Sequence, residues 1–203
     1  PNYLTSTGSK NFTIGKATPT LAITNSPATF DGTAKTATIA ASSTPGGVAG
    51  TFANILYNTL AAAPSDAGSY AVTSNFTPDD AANYNSLTNA AAGNFVIDKA
   101  ASTTAVTCDP GPFAYTGAAQ MPCTASVTGP SGFSQGLTVV YADNTNAGTA
   151  SANAAFGGDA NYLGSSDNTT FTIDKADPTL AVTNSPVTYD GTAKTAAIAA
   201  SAA

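Results

Sequence analysis

The two cysteines carry the clearest chemistry in this sequence, because their spacing permits a disulfide bond. Cys108 and Cys123 are the only cysteines among the 203 residues. Alignment of two internal repeats, described below, sets Cys108 on Asn25 and Cys123 on Thr38, so the two thiols are expected to face each other across the first hairpin of a repeat. A disulfide is the favoured interpretation, and two free buried thiols are the alternative. A disulfide persists only outside a reducing cytosol.

Catalytic and metal-binding patterns are weak elsewhere in the chain. There is no His, and a zinc site would need a third His or Cys ligand. Every acidic residue is an Asp in or near a turn, so neither an acid/base pair nor a Ser/His/Asp arrangement is indicated. Asp79-Asp80 is compatible with a calcium loop, since hard cations prefer clustered oxygens, but the second repeat offers only Asp159 there, which favours a solvated turn. We expect no enzyme, no cofactor and no metal site.

Two lysines open a further chemical possibility. Lys35 and Lys194 lie on a predicted strand and could form an intramolecular isopeptide bond to an Asn. The second repeat has Gln120 at the equivalent position, which argues against such a bond as a requirement of the fold.

Composition restricts the possible partners. Charged residues make up 9% of the chain and the net charge is −6, whereas an ordinary soluble domain has about 25% charged residues. The six basic residues are scattered lysines, so no basic patch is available for phosphates and nucleic acid is not an expected partner. No apolar run approaches the roughly 18 residues that cross a bilayer, so no membrane-spanning segment is expected.

Internal repeats organise the whole chain. A short apolar strand pattern followed by Lys-Ala occurs three times, and the lysines are separated by 83 and 76 residues. At the combined period the match is close, because residues 16–42 and 175–201 differ at only five positions. Two unit types therefore alternate along the chain. The three predicted strands are Phe12–Ile14, Phe95–Ile97 and Phe171–Ile173, and the patterns end at Lys16, Lys99 and Lys175.

The repeat spacing predicts the domain organisation. Residues 1–16 carry the C-terminal strand or strands of a preceding repeat, 17–99 form one complete repeat, 100–175 form a second with the disulfide, and 176–203 carry the opening strands of a following repeat. Almost no linker separates the units, so we expect the sandwiches to meet end to end and to bend little. The partial units at the two ends are expected to be completed by a continuing chain or by the complementary fragment of a neighbouring copy.

Short strands separated by turn signals, without a helical period, predict a β-sandwich for each unit. In the first unit Thr20–Thr24 alternates as a half-buried strand, and Asp31-Gly32 is placed for a tight hairpin turn that needs positive φ. Lys35–Ala40 is predicted as the returning strand, and Thr51–Tyr57 and Ala71–Phe76 as later strands. In the second unit Leu137–Tyr141 is predicted as a strand. Equivalent turn residues elsewhere are Gly117, Asp190 and Gly191.

A corner motif follows the loop of the first unit. Asp66, Gly68 and Tyr70 have the D-x-G-x-Y spacing of the immunoglobulin tyrosine corner, in which the tyrosine hydroxyl bonds back to the main chain. The second unit keeps the glycine, as Gly148, and has Ala150 in place of the tyrosine. The corner is therefore predicted in one unit type.

The motifs I-D-K-A, N-S-P, Y-D-G-T-A-K, A-G-S-Y and D-x-x-N-Y together resemble the bacterial immunoglobulin-like repeats of the MBG type, which occur in large secreted and cell-surface adhesin-like proteins. The resemblance covers essentially the whole chain. It implies an all-β fold of tandem Ig-like β-sandwich domains arranged end to end, in a secreted or cell-surface protein.

Two functions fit these observations. The favoured one is a structural repeat segment of an extracellular bacterial stalk, fibre or filament, whose partners are neighbouring repeats of the same chain or other copies of itself. The alternative is an adhesin module whose repeats bind glycans or a host or neighbouring cell surface. Glycan binding would prefer exposed aromatic side chains on one face, whereas the tyrosines are better explained as core and corner residues.

Overall fold

The structure, a computed structural model, describes residues 2–5, 7–44 and 46–201, and in these ranges it is an all-β protein. The chain divides into two compact units, one ending at Ala100 and the other beginning at Ala101. The described strands of the first unit are β1 (Thr20–Ile23), β2 (Ala28–Thr29), β3 (Ile39–Ser43), β4 (Gly46–Gly47), β5 (Gly50–Tyr57), β6 (Gly68–Pro78) and β7 (Leu87–Asp98).

The first unit is built from two sheets. One has the strand order β1-β3-β4, and the other has the order β2-β7-β6-β5. The pairs are antiparallel except for β2 and β7, which run parallel with Ala28 opposite Ile97. Alternate residues of the strands point inward, as the period of two in the sequence predicts. The most deeply buried side chains are Val72, Ser74, Phe76, Phe95 and Ile97.

The second unit repeats this plan strand for strand. Its two sheets have the orders β8-β10-β11 and β9-β14-β13-β12, and its parallel pair is β9 with β14. Small side chains dominate the core, which packs Ala150, Ala152 and Ala154 against Phe171 and Ile173. The strands are β8 (Thr103–Cys108), β9 (Phe113–Ala114), β10 (Cys123–Thr128), β11 (Ser134–Leu137), β12 (Val140–Ala142), β13 (Gly148–Phe156) and β14 (Ser165–Asp174), with a short 3-10 helix at Pro130–Gly132.

The structure corrects the predicted course of the chain around the Asp-Gly turn. Asp31-Gly32 is not a tight hairpin turn, because β2 before it and β3 after it belong to different sheets. The returning strand is Ile39–Ser43 and not Lys35–Ala40. Local turn chemistry identified the turn, but the sheet that the next strand joins is set by packing on the opposite side of the core.

A second correction concerns the predicted strand Leu137–Tyr141. The structure divides it between β11, which pairs with β10, and β12, which pairs with β13. The chain crosses from one sheet to the other at Thr138 and Val139, and a continuous apolar run does not reveal such a crossing.

The flanking segments differ from each other. The predicted strand at Phe12–Ile14 is absent: within the described part of the chain, residues 7–16 form no strand, and Phe12 and Ile14 are 85% and 81% exposed. A strand needs a neighbouring strand to pair with, and this segment pairs with no strand among the described residues. At the other flank, β15 (Thr179–Val182) and β16 (Ile198–Ser201) form an antiparallel pair with the register of β1 and β3. The end-to-end arrangement and the repeat-based boundaries stay predictions.

Candidate functional site

The disulfide joins the two strands that open the second unit. Cys108 is the last residue of β8 and Cys123 the first of β10, and the two are direct partners across the ladder. The N–H of Asp109 donates to the carbonyl of Pro122 at 3.0 Å, so the cysteines occupy the adjacent non-hydrogen-bonded pair, the closer of the two pair types. The disulfide is present as predicted from the repeat alignment.

The register nevertheless corrects that alignment by one residue. The N–H of Cys123 donates to the hydroxyl of Tyr141 at 2.9 Å, and in the first unit the N–H of Ala37 donates to the hydroxyl of Tyr57 at 2.7 Å. Cys123 is therefore equivalent to Ala37 and not to Thr38. The second unit has one more residue between the turn glycine and the strand, and an alignment anchored on the turn does not locate it.

In the first unit an asparagine occupies the position of Cys108. The side-chain Nδ2 of Asn25 donates to the carbonyl of Thr36 at 2.8 Å, and its Oδ1 accepts from the N–H of Thr38 at 2.7 Å. The amide thus bonds to the backbone on both sides of Ala37, the residue equivalent to Cys123. It extends the β1–β3 ladder beyond the end of β1 with side-chain hydrogen bonds.

The same arrangement recurs after β14, in the segment that contains β15 and β16. Asn184 donates to the carbonyl of Thr195 at 2.7 Å and accepts from the N–H of Ala197 at 2.9 Å. We use the term hairpin clamp for this position, which is an amide at Asn25 and Asn184 and the Cys108–Cys123 disulfide in the second unit. The clamp is therefore hydrogen-bonded in one unit type and covalent in the other.

In each of the two units a tyrosine hydroxyl supports the clamp from the opposite sheet. Tyr57 is 4% exposed, bonds to Ala37 as described, and its ring meets that of Phe95 edge-on at 6.2 Å. Tyr141 both accepts from the N–H and donates to the carbonyl of Cys123, each at 2.9 Å. Sequence reasoning treated these tyrosines as core residues and missed this contact. The available signal was the apolar-apolar-Tyr sequence at residues 55–57 and 139–141.

Tyr57→Phe is expected to destabilise the first unit by on the order of 1 to 2 kcal/mol, because it leaves the N–H of Ala37 without its acceptor in a buried place. Urea unfolding combined with hydrogen exchange of peptides from each unit measures this loss. Tyr84→Phe, on a half-buried tyrosine outside the clamp, is the matched control. Equal small losses from both variants would contradict the role given to Tyr57.

The predicted turn residues form a carboxylate turn in the first unit. Oδ1 of Asp31 accepts from the N–H and the hydroxyl of Thr33, at 2.9 and 2.6 Å, and its other oxygen contacts the amine of Lys35. Gly32 has φ of +79°, a conformation that favours glycine. The hydrogen bond from Lys35 and those from Thr33 hold the pKa of the Asp31 carboxyl well below its usual range. Asp190 and Gly191 form the same turn with Thr192 and Lys194, and there too the pKa of the carboxyl is lowered.

The second unit makes the equivalent turn without charge. The hydroxyl of Thr116 takes the place of the carboxylate and accepts from the side chain of Gln120 at 2.9 Å, and Gly117 has φ of +76°. The Lys-to-Asp contact of one unit type is thus a neutral hydrogen bond in the other. Lys35 lies on the carboxylate of Asp31, and this contact gives no support to an isopeptide bond with an Asn.

Acid is expected to weaken the Asp31 turn more than the neutral turn at Thr116. A carboxyl whose pKa is lowered by folding contributes stability above its unfolded pKa of about 4, and this contribution is lost as the pH falls toward the folded pKa. Hydrogen exchange at pH 7 and pH 3 should therefore show a larger loss of protection around Gly32 than around Gly117. Asp31→Asn should remove most of the difference, whereas an unchanged difference would contradict the assignment.

The corner residues of the first unit are in contact through the backbone. The hydroxyl of Tyr70 donates to the carbonyl of Asp66 at 2.8 Å, and a Cβ at Gly68 would lie 3.4 Å from that hydroxyl. In the second unit Ala150 is buried in the core instead, and Gly148, which opens β13, has φ of +144°. The tyrosine corner thus belongs to the first unit, and the second fills the equivalent position with a small core residue.

The acidic loop proposed as an alternative calcium site is a hydrogen-bonded turn. The carboxylate of Asp80 accepts from both the N–H and the side chain of Asn83, and the pKa of Asp80 is lowered chiefly by that side chain. In the second unit Asp159 accepts from the N–H groups of Asn161 and Tyr162, each at 2.8 Å. Among the described residues no three Asp, Glu, His or Cys side chains come together as a metal site.

One comparison with known proteins gives a match to part of the chain. The family model of the MBG domain matches residues 17–101, the segment that contains the amide clamp, the carboxylate turn and the tyrosine corner. No curated protein and no solved structure matches the chain. Within the described residues, none of the structure's helices has the length and apolar character needed to cross a membrane.

Proposed function

We propose that this chain is a structural segment of an extracellular bacterial stalk, fibre or filament, because the family model of the MBG domain, a repeat module of surface proteins, matches residues 17–101. In this role each β-sandwich acts as a spacer of fixed length along the chain. Neighbouring repeats, of the same chain or of other copies, are its partners.

The single observation that carries this proposal is the use made of the polar motif residues. In both units the shared motif residues bond within their own unit: Asn25 or the Cys108–Cys123 disulfide to the partner strand, the Asp31 or Thr116 side chain to its own turn, and Asp80 or Asp159 to its own loop. Such residues specify a fold and do not converge on a substrate. This supports a non-catalytic role.

Location outside the reducing cytosol is supported by the disulfide. The Cys108–Cys123 bond persists where thiols are oxidised, and the low charge of the chain fits surfaces that pack against one another in a fibre or matrix. We propose that the segment is secreted or displayed at the cell surface.

The adhesin alternative requires accessible aromatic side chains for glycans. Tyr57 and Tyr162 are buried, Tyr84 and Tyr141 are half-buried, and Tyr115 is 38% exposed. Four of these five tyrosines are thus at least half-buried in their units, and the largely exposed Tyr3 and Tyr189 lie in the flanking segments. Within the two units this favours the structural role over glycan binding.

A glycan array probed with the chain, together with solution scattering, tests the proposal. We expect no saturable glycan binding and a scattering profile of rigid units in line. The Tyr115→Ser variant is the matched control for the array. Binding that this variant abolishes, or scattering from freely jointed units, would contradict the structural role.

A further inference from the structure

The parallel strand pair of each unit connects the beginning of the unit to its end. In the first unit β2 pairs with the end of β7, and the N–H of Phe30 adds a bond to the carbonyl of Asp98 at 2.9 Å. In the second unit β9 pairs with the end of β14, and the N–H of Tyr115 donates to the carbonyl of Asp174 at 2.8 Å. We call each pair, with its added bond, the terminal ladder.

The direction of these strands determines how the ladder responds to tension. A pull on the two ends of a unit first loads β1 or β8, which pair with β3 or β10, and then reaches the leading end of β2 or β9. At the other end of the unit it reaches the trailing end of β7 or β14. Because the strands are parallel, these two points lie at opposite ends of the ladder. Its hydrogen bonds are therefore loaded together in shear and do not open one after another.

The disulfide changes the path of the applied force through the second unit, and the first unit has no such bond. The chain between Cys108 and Cys123, a separation of 15 residues, contains the whole of β9. A pull that enters through β8 reaches Cys108 before it reaches β9, and the covalent bond carries it directly to Cys123 at the start of β10. In the first unit the amide clamp of Asn25 offers only hydrogen bonds at this point.

We propose, on the basis of the proposed structural role, that the repeats bear tension and that their two clamp types give them different responses to it. The first unit resists through its terminal ladder. In the second unit the Cys108–Cys123 bond diverts the load to β10 and keeps the enclosed loop from extending.

Stretching single molecules of the full chain through handles at its two ends tests the enclosed loop. Fully extended residues span about 3.5 Å each, so reducing the disulfide should lengthen the extension of the second unit by about 50 Å. The length released by the first unit should stay the same. The Cys108→Asn, Cys123→Ala double variant, which introduces the amide clamp, should give the longer extension without reductant. Equal extensions in all three cases would overturn the proposal.

The diversion of load is tested by removing the added bond of the ladder. Tyr115→Pro lacks the N–H that donates to Asp174, and Tyr115→Phe keeps it as the matched control. We expect Tyr115→Pro to lower the unfolding force of the second unit when the disulfide is reduced, and to change it little when the disulfide is intact. An equal drop in both states would refute the diversion, and no drop in either state would refute the load-bearing ladder.

These outcomes are separable from those for the structural role itself. Saturable glycan binding would refute the proposed function whatever the stretching shows. Conversely, unfolding forces that change neither with Tyr115→Pro nor with reduction of the disulfide would refute the tension mechanism. The proposed structural role as a spacer would then still stand.

Discussion

Replacing both cysteines by alanine is expected to destabilise the second unit by about 3 kcal/mol, the effect of opening a loop of this length in the chain-entropy model. The bond closes a separation of 15 residues, most of which form irregular structure around β9. Without it the unfolded chain gains conformational freedom, whereas the hydroxyl of Tyr141 still bonds to the backbone of residue 123. The fold should persist with a lower free energy of unfolding.

A matched variant separates the covalent effect from the loss of any clamp. Cys108→Asn with Cys123→Ala reproduces the residues found at Asn25 and Ala37, so its amide can bond to the backbone on both sides of residue 123. We expect this variant to lose less stability than the double alanine variant, by about 1 kcal/mol for the recovered hydrogen bonds.

Urea unfolding, with hydrogen exchange assigned to peptides of each unit, measures both variants against the parent chain. The first unit serves as an internal reference because its residues are unchanged. If the asparagine variant were no more stable than the alanine variant, the amide and the disulfide would not be interchangeable at this position.

The reverse exchange is expected to stabilise the first unit. Asn25→Cys with Ala37→Cys places two thiols at the positions equivalent to Cys108 and Cys123. A disulfide formed there closes a loop of similar length, and the expected gain approaches 3 kcal/mol less the hydrogen bonds of the lost amide. Tyr57 should keep its bond to residue 37, because that bond uses the backbone.

The control for this exchange is Asn25→Cys with Thr38→Cys, the pair that repeat alignment alone would select. Successive side chains of a strand point to opposite faces, so residue 38 points away from residue 25 and its thiol does not meet the disulfide geometry. Thiol titration and mass spectrometry of the unreduced proteins should find free thiols only in this control. A bond in both variants, or in neither, would contradict the observed register.

Part of this protein could be predicted from its sequence because the relevant chemistry is local. Glycine at Gly32, Gly117 and Gly191 permits positive φ wherever it occurs, and alternating apolar residues indicate strands before any partner is known. The alignment of the repeats predicted that Cys108 and Cys123 lie opposite each other. The all-β class and the disulfide followed from these features.

Other features were decided only by the tertiary structure. Which sheet β3 or β12 joins depends on hydrogen bonds to strands that are distant in the sequence. The equivalence of Cys123 with Ala37 depends on one residue inserted before β10, and spacing counted from the turn cannot place it. The hydroxyl of Tyr57 accepts from the N–H of Ala37 only because the two sheets face each other across the core. The exchange of an amide clamp for a covalent one was therefore invisible until the register was known, because it is a relation between strands and not a property of either strand alone.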